Sequence, residues 1–158
     1  MKFKFTLEKV LKHREIQVGL AQKDLGEAQN LQREEMLIWQ NMTDTKNASL
    51  EQRSRLVQQS QDWAVQVEQI NLFLIGQDLR IKKQNQRLSE VEKLVESKRE
   101  ILRQAMTEVK ILEKLREKKY EEFVKAEARQ EQNDIDELTA LRFSRTESLI
   151  KGSHEDGI

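Results

Sequence analysis

A repeat of apolar residues at alternating spacings of four and three constrains this chain most. Counted from Leu7, it runs to Met42 with eight of eleven positions apolar. It returns in the same phase at Trp63 and runs to Leu112 with twelve of fifteen positions apolar. This spacing places one apolar stripe along a helix and is typical of coiled coils. We therefore predict two helices that pack along one seam.

The composition supports long helices rather than a globular core. The chain has 158 residues, of which 35% are charged and 5% aromatic, and it contains no Pro. A loop-rich domain of this length would be expected to use some Pro. The mean hydropathy of −0.80 is low for a thick core, so the fold is predicted to be elongated.

Charge and cysteine content exclude several classes of protein. The 28 basic and 28 acidic residues cancel, whereas nucleic-acid binding normally leaves a basic footprint. No run of about 18 apolar residues is present, so no membrane span is predicted. The N-terminus lacks the apolar core of a cleavable signal. The absence of Cys excludes disulfides and thiolate metal sites and fits a cytosolic protein.

The position of the chain reversal is predicted from where the seam fades. Between Met42 and Trp63 only one of five seam positions is apolar, and residues 43–49 (TDTKNAS) favour caps and turns. We predict helix one over about 7–52, a reversal within about 43–62 and helix two over about 63–143. A turn near residue 58 would set Leu7 opposite about residue 110. The alternative is a turn at Gly76, although the seam passes that residue without a change of phase.

The stretch from Val109 to Arg142 is highly charged but keeps apolar residues. Beyond Leu112, only three of the next eight seam positions are apolar. This part of helix two is therefore predicted to extend past helix one without an internal partner. Residues 146–158 are predicted to form a flexible tail. The expected fold is all-α: an elongated antiparallel two-helix coiled coil, or helical hairpin, with a longer second helix, forming a single domain over 1–145.

The sequence predicts no enzyme. No catalytic, metal or cofactor-binding residues are assigned, because no Gly-rich phosphate loop is present and the abundant carboxylates lie on solvated helical faces. His13 is expected to be a surface residue. His154, beside Glu155 and Asp156, is expected to be solvated rather than part of a weak metal site.

The sequence leaves two possible roles for each of several aromatic residues, internal packing or contact with a partner. Trp39 and Trp63 occupy seam positions, and packing near the closed end of the hairpin is favoured over an exposed anchor for a partner. Phe73 and Ile75 flank the seam position Leu74 and should be exposed, either incidentally or as a contact site. Phe3 and Phe5 precede helix one and could pack as a hydrophobic staple or anchor a partner.

The two ends of the chain resemble a known family. FKFTLEKVLKHRE (Phe3 to Glu15) is similar to the opening of the flagellar export protein FliJ. LEKLREKKYEEF, followed by EQNDIDELTALR (Glu131 to Arg142), is similar to that family's C-terminal signature. Relatives in virulence-type type III secretion share this architecture and remain an alternative, as does a generic coiled-coil scaffold or tether.

The resemblance implies a cytoplasmic, non-enzymatic coupling factor of flagellar type III protein export at the flagellar base, peripheral to the inner membrane. Its implied partners are the hexameric export ATPase, the cytoplasmic domain of the export gate's large membrane subunit and the export chaperones. It implies no nucleic-acid partner and only indirect contact with the membrane. The gate contact is expected at Phe73 and Leu74. The implied ATPase-ring contacts are Phe5, Leu7, Leu11, Leu112, Leu115, Lys118, Glu131, Gln132, Asp136, Glu137 and Arg142.

Overall fold

Two antiparallel helices make up nearly all of the computed structural model, which describes residues 2–59 and 61–152. Helix α1 spans Glu8–Gln59 (52 residues) and helix α2 spans Ala64–Gly152 (89 residues). The described residues contain no strand. The predicted all-α hairpin with a longer second helix is confirmed. The chain divides into two compact units, which we call the terminal unit (Met1–Lys12 with Val109–Ile158) and the central unit (His13–Glu108).

The antiparallel pairing of the central unit is defined by polar contacts between α1 and α2. Each step forward along α1 is matched by a nearly equal step backward along α2, as antiparallel helices require. The contacts join Arg14 to Glu108 (2.7 Å), Asp24 to Lys98 (3.6 Å), Glu35 to Arg87 (2.6 Å), Lys46 to Asp78 (2.7 Å) and Arg53 to Asn71 (2.9 Å).

The buried residues follow the predicted seam. Every seam position from Leu7 to Met42 is buried or half-buried, and so is every one from Val67 to Leu112. Trp63 is the exception at 39% exposure, whereas Trp39 is half-buried as expected. The coiled-coil repeat therefore identifies the faces that pack. The buried apolar side chains on the seam are Leu11, Ala21, Ala28, Val67, Leu74, Val91 and Val95.

The reversal lies at the end of the predicted window. Helix α1 continues to Gln59, seven residues beyond the predicted end at 52, and α2 begins at Ala64. The seam fades before the helix ends because polar residues replace apolar ones on it: Lys46 and Arg53 bond across to α2. Gly76 lies inside α2, so the alternative turn there is wrong.

This later reversal corrects the predicted register. In the terminal unit, Glu8 pairs with Arg116 at 3.6 Å, so the start of α1 lies about one heptad further along α2 than the expected position near residue 110. The error has the same cause as the misplaced helix end, since a turn placed too early moves every predicted partner in the same direction.

Helix α2 continues to Gly152, past the predicted end at 143. Hydroxyl groups in this part of the helix donate to its own carbonyls: Ser144 to Leu141 (3.0 Å), Thr146 to Arg142 (2.8 Å) and Ser148 to Arg145 (2.8 Å). Such bonds let Ser and Thr remain in a helix. Residues 153–158 of the predicted tail lie outside the described residues.

One seam layer of the central unit buries a carboxylate. Glu35 is buried, and its carboxylate accepts hydrogen bonds from Gln84 Nε2 (2.7 Å) and Arg87 Nε (2.6 Å). Gln84 Nε2 also donates to the Glu35 carbonyl at 2.9 Å. The hydrogen bond from Gln84, followed by that from Arg87, lowers the pKa of Glu35 below its usual value.

This shift predicts an acid-sensitive contribution to stability. A folded-state pKa below the unfolded one stabilises the fold above the unfolded pKa, and that contribution is lost as the pH falls through the folded pKa. Between pH 7 and pH 3 the melting temperature of the Glu35→Gln variant should fall less than that of the wild type. Thermal unfolding followed by circular dichroism measures both. Equal falls would show that the Glu35 carboxylate contributes nothing to acid sensitivity.

Candidate partner-binding surfaces

The chain segment before α1 packs against α2 in the terminal unit. The Phe3 ring meets Tyr120 edge-on, with centroids 5.3 Å apart, and lies 5.6 Å from Phe123. Phe5 is buried at 8% exposure. Aromatic pairs in these arrangements are stabilising beyond the area they bury. Of the two readings of Phe3 and Phe5, the structure supports internal packing.

This packing also corrects where α2 loses its internal partner. The sequence placed that point just after Leu112, but Leu115 and Phe123 are half-buried and Arg116 is paired with Glu8. The residues before α1 pack along α2 beyond Leu112, as far as Phe123, and so cover about three further turns of that helix. The sequence pattern missed them because they lie outside the helical repeat.

A basic cleft lies beside these aromatic residues. It is open to solvent, and its single carboxylate, Glu8, is paired with Arg116. Its lysines have no ion pair within the described residues 2–59 and 61–152. The cleft therefore places positive charge next to the apolar side chains of Phe3 and Phe5. Its lining is Phe3, Lys4, Phe5, Thr6, Glu8, Lys9, Lys12 and Arg116.

Beyond this aromatic packing, the described side chains of α2 are almost all exposed to solvent. Every residue in 128–150, which we call the exposed arm, is exposed. Ile135, Leu138 and Leu141 are 56–58% exposed. Apolar side chains at spacings of three lie near one another on a helix and commonly mark a contact surface. The charges around the start of the arm are mostly acidic: residues 121–137 contain seven acidic and two basic side chains.

The structure divides the predicted ATPase-ring residues into two groups. Phe5 and Leu11 are buried, and Leu7, Leu112 and Leu115 are half-buried, so these five pack inside the terminal unit. The other six are exposed on α2, where Gln132 Nε2 donates to Asp136 Oδ1 at 2.9 Å. The exposed residues available for a direct contact are Lys118, Glu131, Gln132, Asp136, Glu137 and Arg142.

The two residues predicted to contact the export gate also differ in their exposure. Leu74 faces the seam at 7% exposure, whereas Phe73 is 39% exposed with the Arg80 guanidinium 6.0 Å from its ring centroid. Ile75 is exposed as expected, and so is Leu72, which the sequence assignment did not include. The position of Leu72 off the seam could have identified it. A contact in this region would therefore use Phe73 with Leu72 and Ile75 rather than Leu74.

No feature of a catalytic centre emerges from the described residues. They contain no group of three or more His, Cys, Asp or Glu side chains arranged to hold a metal ion. The His13 ring lies 3.2 Å from Gln17 Nε2 on an exposed face of α1. His154 lies outside the described residues. Neither helix, over its described residues, has a stretch both long and apolar enough to cross a membrane.

These features define an antiparallel helical hairpin whose long second helix is exposed over residues 128–150. A family comparison identifies it more closely: residues 3–148 match the family model described as Flagellar FliJ protein. The chain belongs to the FliJ family, whose members are non-catalytic components of flagellar protein export. Comparisons with curated proteins and with solved structures find no significant match.

Proposed function

We propose that this protein is a coupling factor of the flagellar type III export apparatus that inserts its terminal unit into the ring of the export ATPase. Family membership supports a role in export. The observation that carries the specific proposal is the exposed arm, because Ile135, Leu138 and Leu141 remain in water unless a partner covers them. Burial of apolar area stabilises association by roughly 25 cal/mol per Å² before the costs of ordering.

The terminal unit is suited to a ring because it is asymmetric. A single helical hairpin carries the arm and the basic cleft on different residues, so six identical subunits around it would meet different surfaces. A ligand that binds one conformational state more tightly shifts the population toward that state. The protein would thereby bias which subunit binds or hydrolyses ATP.

The surface around Phe73 is the proposed contact with the cytoplasmic domain of the gate's large membrane subunit. Phe73, Leu72 and Ile75 are exposed there within about one turn of α2. We further propose that export chaperones bind the protein and that it acts in the cytoplasm at the flagellar base. Both statements rest on family membership, and the chaperone proposal also rests on the uncovered apolar residues.

Stimulation of the cognate export ATPase tests the proposed function. Adding the full-length chain should raise the rate of ATP hydrolysis severalfold at saturating ATP, because binding favours the active ring. Steady-state phosphate release measures the rate. A matched control is the chain with Lys4, Lys9 and Lys12 replaced by Gln, which keeps the exposed arm and should retain part of the effect. A rate unchanged by the full-length chain would contradict the proposal.

Light scattering separates this role from a generic scaffold. A scaffold that assembles through its seam would form a stable dimer of full-length parallel helices. The hairpin has already buried its seam within one chain, so the coupling factor should be monomeric at low micromolar concentration.

A further inference from the structure

The central unit contains the same polar motif twice, one heptad apart on α2. Gln77 is followed three residues later by Arg80, and Gln84 is followed three residues later by Arg87. Both glutamines are buried, at 5% and 7% exposure. Each donates to a carbonyl of α1: Gln77 to Met42 and Gln84 to Glu35, both at 2.9 Å. The two acceptors are also one heptad apart.

The two motifs differ in whether a carboxylate reaches them. The second holds Glu35 between Gln84 and Arg87. The first faces Met42, which offers only its backbone carbonyl. There the Arg80 guanidinium donates to its own neighbour, Gln77 Oε1, at 3.0 Å. The Gln77–Arg80 motif is therefore a duplicate of the carboxylate site that no carboxylate fills.

The apolar seam cannot by itself decide between two registers. A slip of seven residues moves each seam position of α1 onto another seam position of α2, so apolar packing is largely kept. Such a slip toward the reversal would carry Glu35 from Gln84–Arg87 to Gln77–Arg80. A buried polar group commonly sets the register of a coiled coil because other alignments leave it unsatisfied.

We propose that Glu35, held by Gln84 and Arg87, selects one of two registers of the central unit that lie one heptad apart. The contacts around Glu35 favour the observed alignment, in which Gln84 also donates to the Glu35 carbonyl and Gln77 donates to the Met42 carbonyl. Loss of Glu35 removes the only buried carboxylate in the described part of the seam and weakens the preference for the observed alignment, so that the second alignment becomes populated.

Spin-label distances measure the register directly. Because the chain has no cysteine, labels can be placed only at Asn30→Cys on α1 and Lys82→Cys on α2, both of which replace exposed residues. The parent chain should give a single distance. In the Glu35→Leu variant a second distance should appear, shorter by up to about 10 Å, the axial length of seven helical residues. Glu34→Leu is the matched control, since it adds the same side chain at an exposed position and should leave one distance.

The duplicate motif provides a rescue. Adding Met42→Glu to Glu35→Leu places a carboxylate opposite Gln77 and Arg80 in the observed register, so the single parent distance should return. If circular dichroism shows that this double variant loses its helices, a second variant replaces it. In the variant that combines Gln84→Leu with Arg87→Ala, the only such motif left for Glu35 is Gln77–Arg80, one heptad earlier on α2. The main spin-label distance should therefore shift to the shorter value.

A single unshifted distance in Glu35→Leu would overturn the proposal. The same holds if the Met42→Glu chain is helical yet still gives two distances, or if Gln84→Leu with Arg87→Ala keeps the parent distance. None of these measurements involves the export ATPase, so their outcome is independent of the proposed function.

Discussion

A chain that ends at Gln130 is expected to keep its fold and to lose at least nine-tenths of the increase in ATPase rate that the full-length chain produces. The cut removes nearly all of the exposed arm, whose residues add little to the buried core of the structure. It leaves the packing of Phe3 against Tyr120 and Phe123 and the ion pair of Glu8 with Arg116. The melting temperature should therefore change little while the contact surface disappears. Circular dichroism and ATPase assays on the same preparation measure the two effects.

A full-length variant separates loss of the arm's surface from loss of its length. Replacing Ile135, Leu138 and Leu141 by Gln keeps a helix-compatible residue at each position and should reduce stimulation about as strongly. The matched control places two Gln residues on the opposite face of the same helix, at positions given by 3.6 residues per turn. These replace Asn133 and Ala140 and should leave stimulation unchanged. If the chain ending at Gln130 stimulates normally, the arm is not the ring contact.

The pairing of the helices could be predicted because it depends on a repeat. Apolar residues every 3.5 positions specify which face packs, and the predicted seam is the observed one from Leu7 to Met42 and from Val67 to Leu112. The end of α1 could not be predicted from the same repeat. Lys46 and Arg53 reduce the apolar count, yet they bond across to Asp78 and Asn71. A polar seam residue looks like a gap until its partner on the other helix is known.

The polar layer was missed for the same reason. Glu35, Gln77 and Gln84 counted as failures of the seam, although they are among its most buried residues. The register decides which of them meet. Because the predicted register was displaced by about one heptad, their pairing could not be read from the sequence. A carboxylate on one helix and a repeated Gln-x-x-Arg motif on the other is the signal that a search of both helices could have used.

The candidate site was predictable as a region but not residue by residue. The family signature spans buried and exposed side chains alike, so it places Leu11 and Glu137 in one set. Only the structure shows that the first holds the terminal unit together while the second faces solvent. Residues before α1 add to the core without any helical period, which is why the internal role of Phe3 and Phe5 stayed open in the sequence.

Replacing Leu11 by Ala is expected to be among the most destabilising single changes in the chain. At 2% exposure it is the most buried apolar side chain in the described core. Leu→Ala at such positions costs about 2–5 kcal/mol, with the lower values where neighbours can close the cavity. A thin two-helix core relaxes readily, so we expect about 2 kcal/mol. That corresponds to a fall of about 4–8 °C in melting temperature for a chain of this size.

Leu20→Ala is the matched control, because it makes the same substitution on the same helix at a side chain that is 58% exposed. Its effect should stay within about 0.5 kcal/mol. Urea unfolding of both variants, analysed with a common slope, gives the difference in free energy. Equal effects would mean that the seam around Leu11 does not form in solution. A large effect at Leu11 alone would show that this side chain stabilises the paired end of the helices in the terminal unit.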